Sequence, residues 1–379
     1  MPDRIDKEVH HEPPAHCTCG GTVEPTEEVR STVVQDIPPV VVENVRHVAR
    51  VGVCNTCKKK VAAPLPGDVG AGQTVVRVSM GPILQAMAVG LRFEQKVPFG
   101  KIGAFMGQWF GVTITAGGVS HMITRLRNRS PEGYNEIVQE VRTAAVVGGD
   151  ETGLRQNGQS GWCWLLRTDR ASLFHVDKSR GGRVFAQMLG SGFIGVVVTD
   201  FYSVYTSRTD LDHGYCGAHL IREAKKIAEL QPSPETAEFR DRVRSFYKVG
   251  EEAQKSGDPA ARRGARIRLG HIANSTNYVA FPDIIRLQER IQVHKVGITR
   301  FLDDVAIPWH NNHSEGDIRD VARFRAVSGG TRSDNGSKNV GHWMSITQTR
   351  RKNGLPLGPF VIGVYNAHLH KTSPPSVFS

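Results

Sequence analysis

Asp150 follows the apolar run AAVVGG and Asp200 follows VVVT, so each carboxylate closes a segment that reads as a buried β-strand. If the two strands are neighbours in one sheet, the carboxylates come within a few ångströms of each other, where like charges repel unless a cation neutralises them. A divalent metal is the economical partner. Mg²⁺ takes one or two carboxylates with water and phosphate oxygens, and two such ions ~3.5 to 4 Å apart can activate a nucleophile and stabilise a leaving oxygen. Glu315 supplies a third carboxylate. It follows HNNHS at an expected helix start, with Ser314 as the expected N-cap. Arg319 and Arg323 lie four and eight residues further on the same helical face, where they can grip a phosphate beside the metals. Taken singly, each of these acids also suits a turn, a cap or a solvated ion pair.

A second constellation is sulfur-based. Cys17 and Cys19 form a Cys-x-Cys pair, and Cys54 and Cys57 a Cys-x-x-Cys pair. Four thiolates suit tetrahedral Zn²⁺; the short first gap strains its loop, so His16 is an alternative ligand, and free buried cysteines are the other reading. Lys58, Lys59 and Lys60 follow directly and can touch phosphates without reading sequence, or simply form a solvated face.

The elements that must position these groups follow from the pattern. Residues 1–65 read as a small zinc-binding β segment, with strands expected at Ser31 to Val34 and Val40 to Val42, broken by Pro38 and Pro39. Ala62 to Gly72 reads as a Pro/Gly-rich linker. Residues 66–143 read as helical: Met80 to Leu91 carries Ile83, Met87 and Leu91 at helical spacing. Two amphipathic stretches around a Gly-Val-Thr turn and a helix at Asn135 to Thr143 follow. Thr113 to Arg127 is then either the recognition helix of a helix-turn-helix, presenting Ser120, His121, Thr124, Arg125 and Arg127 to DNA, or a plain packing helix.

From residue 144 the pattern changes to strands: AAVVGGDETG, GWCWLLRTD and ASLFHVD, a short helix at Arg183 to Leu189, and the buried strand GVVVTDF. Three antiparallel-compatible strands and a helical crossover to a buried strand open a ribonuclease-H-like mixed sheet. The expected class is therefore α/β. This domain is expected over 144–330, with a helical insertion at about 230–304, a last helix near Ser314, and a C-terminal extension over 331–379 whose end, KTSPPSVFS, frays.

Lys plus Arg exceed Asp plus Glu by 48 to 37, a net charge of +11 that makes a polyanion the first partner to consider. No run approaches the ~18 apolar residues that span a bilayer, and the polar N-terminus resembles no export signal, which points to the cytoplasm. Six cysteines are too few for a disulfide scaffold.

GGDETG at Gly148 to Gly153, VVVTDFYSVY at Val196 to Tyr205, YCGAHLIREAKK at Tyr215 to Lys226 and FLDDVAIPWHNNHSEGDIR at Phe301 to Arg319 occur in this order. In order and spacing they resemble the transposases of insertion-sequence family sixty-six. The resemblance implies a ribonuclease-H-like catalytic domain with a helical insertion and a DDE triad, which by position is Asp150, Asp200 and Glu315. It also implies two Mg²⁺ or Mn²⁺ ions per site, structural Zn²⁺ near the N-terminus, and double-stranded DNA as partner at element ends and target. A homo-oligomer assembled on that DNA, accessory element-encoded proteins and a nucleoid location complete the picture. Many relatives carry a further N-terminal recognition region. The chain departs from the usual pattern at Phe201, where a Gly is common, and at Ser314, where an Ala is common. In the third block, Cys216 and His219 form a Cys-x-x-His pair, too few ligands alone for a closed zinc site. His219 is either a helper near the acids, as a phosphate contact or proton carrier, or a packed helix residue; Asn312 is a further auxiliary candidate, and Arg222 a candidate contact to the DNA backbone. Two other readings use the same residues: a catalytically retired, transposase-derived DNA-binding protein, and a structure-selective nuclease.

Overall fold

The computed structural model describes residues 4–37, 40–48, 50–62 and 79–379, and the chain divides into two units, Met1–Val45 and Arg46–Ser379. In the first unit, Cys17 N donates to Gly21 O (2.8 Å) and Gly20 N to Cys17 O (2.8 Å), closing a tight turn around Cys17 and Cys19 in which Gly20 takes φ +91°. The strands expected at Ser31 to Val34 and Val40 to Val42 do not form. Val33, Val34, Val40 and Val41 are exposed, and β-branched residues hold a strand only where there is a partner and a surface to pack on. Pro38 and Pro39, and the expected linker beyond Ala62, lie outside the described residues.

The second unit begins with the hairpin β1 (Val51–Val53) and β2 (Lys60–Ala62), which places Cys54 and Cys57 in its turn. Four helices follow: α1 (Pro82–Val89), extended by a π-helical turn at Gly90–Glu94, α2 (Phe99–Phe110), α3 (Ala116–Asn128) and α4 (Pro131–Thr143). Gly111 ends α2 in the left-handed region, and the Thr115 hydroxyl caps α3 by accepting from Gly118 N.

The sheet consists of β3 (Val146–Gly153), β4 (Trp162–Arg167), β5 (Ser172–Asp177), β6 (Val196–Thr199) and β7 (Asp212–Tyr215), in the order β5-β4-β3-β6-β7. The first three strands pair antiparallel; β6 joins β3, and β7 joins β6, in parallel. The crossover to β6 runs through α5 (Gly182–Leu189), and the short α6 (Ser203–Thr206) precedes β7. This is a mixed α/β architecture.

Beyond β7, α7 (Gly217–Leu230), α8 (Pro234–Ser256), α9 (Pro259–Ala273) and α10 (Pro282–Thr299) share a core that includes Phe239, Phe246, Tyr247, Leu287 and Phe301. Then come α11 (Asn312–Ser328), α12 (Asp334–Lys352) and α13 (Leu357–His370), so the helix near Ser314 is not the last. α12 lies along the free edge of β5. Ser345 Oγ accepts from Phe174 N (2.8 Å) and Thr349 Oγ1 from Ser172 N (3.1 Å), satisfying edge N–H groups that would otherwise invite another strand. The terminus does not fray: Val377 is fully buried, its N–H donates to Glu136 Oε2 (2.8 Å), and Arg350 Nη1 donates to the carbonyls of Val377 (3.1 Å) and Ser379 (2.9 Å). Among the described residues no helix is long and apolar enough to cross a membrane.

Candidate active site

The β3–β6 ladder ends at Gly148 opposite Val198, so Asp150 and Asp200 each stand two residues beyond the last parallel pair, on strands that run about 4.8 Å apart. Asp150 is not at a strand end, as expected, but inside β3, which continues to Gly153 against β4. Asp150 Oδ1 accepts from Glu151 N (2.8 Å) and Asp200 Oδ1 from Tyr202 N (2.9 Å), the latter turning the chain into α6. Neither carboxylate has an ion pair with a basic side chain among the described residues. Burial pushes the Asp150 carboxyl up to about 7, helped by the negative charges of Glu151, Asp200 and Glu315. Asp200 and Glu315 thus lie close enough for their charges to act on Asp150.

Glu315 reaches them because the start of α11 is pinned to the sheet. Asn311, in the N-cap position and buried, donates from Nδ2 to Gly149 O (2.7 Å) and from its backbone N to Cys216 Sγ (3.1 Å). Ser314 is therefore not the N-cap; it lies in the first turn, fully buried against Gly148. A Cβ on Gly148 would stand 2.4 Å from Ser314 Oγ, so the glycine before Gly149 and Asp150 is what lets the helix approach. Asn311→Ala should leave Gly149 O without a partner inside the site and cost roughly 1 to 3 kcal/mol, whereas the exposed Asn312→Ala should leave the melting temperature unchanged; thermal denaturation of the two variants checks this.

Arg222 Nη2 donates to Glu315 Oε1 (2.7 Å) and lies 3.2 Å from His219 Nε2. His219 is half-buried; burial and the Arg222 charge hold its imidazole below its ordinary value, against the pull of Asp200 and Glu315. Cys216 Sγ, a His219 ring nitrogen and a Glu315 carboxylate oxygen all lie within 4.8 Å of one another. Behind Asp150, Glu151 is a further acid that sequence reasoning passed over. Its side chain is only 4% exposed, pairs with Arg180 Nη2 (2.8 Å) and accepts from the Tyr205 hydroxyl. Arg180 in turn lies over the rings of Trp162 (4.3 Å) and Tyr202 (4.1 Å).

The other candidates are spread more widely. Arg319 is exposed one turn beyond Glu315. Arg323 pairs with Asp320 (3.1 Å), which also meets Lys96 (3.7 Å), Arg351 and Gln348, so its guanidinium is engaged beside α12 rather than at the acids. In α3, Arg127 donates to Asn339 Oδ1 (3.0 Å) and Thr124 Oγ1 accepts from Asn339 Nδ2 (2.9 Å), so the face carrying both is docked on α12; His121 and Arg125 remain exposed. Lys58 and Lys59 are exposed in the β1–β2 turn, with Lys58 at φ 58°.

A protein of Sinorhizobium fredii with the name "Uncharacterized protein y4jO" is 26% identical over 146 residues, which are 38% of this chain and 45% of that protein, so the match takes in less than half the relative's length. The family model described as "Transposase IS66 family" matches residues 77–339, a span that holds the whole sheet, all three acids and the glycine pair that seats α11. The chain belongs to the transposase IS66 family.

Proposed function

We propose that this chain is a DNA transposase that cuts phosphodiesters at element ends and joins the freed 3′ ends to target DNA, with Asp150, Asp200 and Glu315 as its catalytic acids. Family membership supports action on DNA, and the net charge of +11 suits that partner. The strand order, three antiparallel strands followed by two parallel ones on the far side of the first, supports a ribonuclease-H-like reading of the sheet. One observation carries the assignment: two carboxylates on neighbouring chain segments, without basic ion-pair partners among the described residues, with a third delivered by a pinned helix and Asp150 pushed up by burial and by the charges of Glu151, Asp200 and Glu315. Such crowding asks for a cation, and an all-oxygen donor set fits Mg²⁺ or Mn²⁺ rather than a thiophilic ion.

Asp150, Asp200 and Glu315 would hold two such ions, which supply the charge that stabilises an in-line displacement at phosphorus. The chain's own residues do the positioning. Gly148 and Asn311 set the height of Glu315 above the sheet, Arg222 steadies its carboxylate, and Arg319 offers an exposed guanidinium to a backbone phosphate. Water is the nucleophile in the first step and the released 3′ hydroxyl in the second; both lose a proton as the new P–O bond forms and the old one breaks. Each cysteine pair also occupies a tight turn of its own, Cys17 and Cys19 in one and Cys54 and Cys57 in the other, and thiolates presented in this way suit Zn²⁺.

The test supplies end-containing duplex and Mg²⁺ to the full chain. Nicking followed by strand joining is expected. Glu315→Gln and Asp200→Asn should each reduce nicking on the order of 10³-fold, as loss of several kcal/mol of metal-borne stabilisation requires. Hydrolysis without joining would favour a nuclease, and no cleavage under any metal a retired DNA-binding protein; undiminished cleavage by Glu315→Gln would overturn the triad.

A further inference from the structure

We propose that Cys216, His219 and Glu315 form a binding site for a thiophilic divalent cation such as Zn²⁺, separate in chemistry from the all-oxygen site yet sharing Glu315 with it. The sequence offers only a Cys-x-x-His pair; the fold adds the third ligand. Cys216 stands at the N-cap of α7 and His219 three residues on, so both side chains leave the same face of the first turn. The N-terminal turn of α11 brings Glu315 from the other side, and the sulfur, nitrogen and oxygen atoms come within 4.8 Å of one another. Tetrahedral Zn²⁺ with bonds of about 2.0 to 2.3 Å needs its ligand atoms roughly 3.3 to 3.8 Å apart. Small rotations of the half-buried His219 and Glu315 side chains close that gap.

Two further features suit an ion here. The Asn311 backbone N–H already donates to Cys216 Sγ (3.1 Å), the kind of outer hydrogen bond that supports a ligating thiolate. The centre of the cluster already receives positive charge: Arg222 extends its guanidinium to Glu315 Oε1 and the His219 ring while its side chain remains 55% exposed, free to swing out as an ion enters. Sulfur and nitrogen donors exclude Mg²⁺ and select Zn²⁺ or Co²⁺. The consequence for activity rests on the transposase reading: an ion on this trio withdraws Glu315 from Asp150 and Asp200, so Zn²⁺ would hold the enzyme off. The binding itself does not depend on that reading.

The test uses the full chain, stripped by chelation and dialysed against Zn²⁺ without DNA. The wild type should retain one ion per chain more than Cys216→Ser and one more than His219→Ala, whatever the N-terminal cysteine pairs contribute to all three. With Co²⁺, the wild type should show thiolate-to-metal absorption that exceeds that of Cys216→Ser by one site. Near-ultraviolet circular dichroism checks folding; if the buried Cys216→Ser position does not tolerate serine, the His219→Ala comparison decides. Equal ion counts in the wild type and in every folded variant overturn the proposal. A chain that binds the extra ion but never cuts DNA keeps this site while the transposase reading falls; a chain that cuts DNA with equal counts does the reverse.

Discussion

Asp150→Asn should abolish metal-dependent cleavage and, in the same protein without metal at pH 8, raise the melting temperature. Both effects have one cause. Burial and the charges of Glu151, Asp200 and Glu315 push the Asp150 carboxyl from 3.8 to about 7 in the fold. Between these values the native state binds more protons than the unfolded state, so stability falls as pH rises from about 4 to about 7 and is flat beyond. Asparagine keeps the shape and removes the charge. The stabilisation should therefore be largest at pH 8, shrink toward pH 5 and vanish near pH 4, a series that calorimetry reads directly. A divalent ion should erase the difference in the wild type by neutralising what the fold leaves exposed, and should bind more tightly as pH climbs toward 7, because below that value a proton competes for Asp150. Cleavage by the variant should fall on the order of 10³-fold or more, since it loses a charged ligand of ions worth several kcal/mol at the transition state. A variant less stable than wild type at pH 8 would mean that Asp150 is not crowded by its neighbours.

The two aspartates were legible because buried strands declare themselves: VVGG and VVVT are apolar runs interrupted by an acid that a core would refuse. Glu315 was legible through Asn-Asn-x-x-Glu, but the roles inside that motif were not. Asn311, rather than Asn312, carries the hydrogen bonds, since which of two adjacent amides turns inward depends on the helix start, and boundaries are the weakest part of a sequence reading. β7 escaped notice because DHGY has no apolar alternation; its burial comes from the neighbouring elements, with Tyr215 stacked between Phe201 and His213. α12 escaped for the opposite reason to an ordinary surface helix. Its buried residues mix polar side chains with Val340, Trp343, Met344 and Ile346, two of the polar ones, Ser345 and Thr349, satisfy the β5 edge, and no clean hydrophobic period marks the helix. The N-terminal valine runs have strand propensity but find no partner strand among the described residues, so they stay exposed.

Gly148→Ala should separate positioning from ligation. The new methyl would lie 2.4 Å from Ser314 Oγ, 3.1 Å from Arg167 Cγ and 3.2 Å from Asn311 Oδ1, and Ser314 is fully buried while Asn311 is held to Gly149 O. α11 must lift, and Glu315 lifts with it. Overpacking of this kind costs about 1 to 3 kcal/mol in stability, while a shift of ~1 Å at a catalytic group can cost about 10²-fold in rate. Asp150 keeps its place in β3 and Asp200 its place just past β6, so the variant should still bind one divalent ion while cutting slowly, a split that isothermal titration and a cleavage assay resolve. The compensating change is available in the same contact. Ser314 Oγ is buried with no hydrogen-bond partner among the described residues, so Ser314→Ala alone should cost nothing and can stabilise, a desolvated hydroxyl being replaced by hydrogen. Combined with Gly148→Ala it removes the nearest clashing atom and should recover part of both stability and rate, giving a favourable coupling energy in the double-mutant cycle. Additive losses across that cycle would show that Gly148 matters for some reason other than the seat it gives to α11.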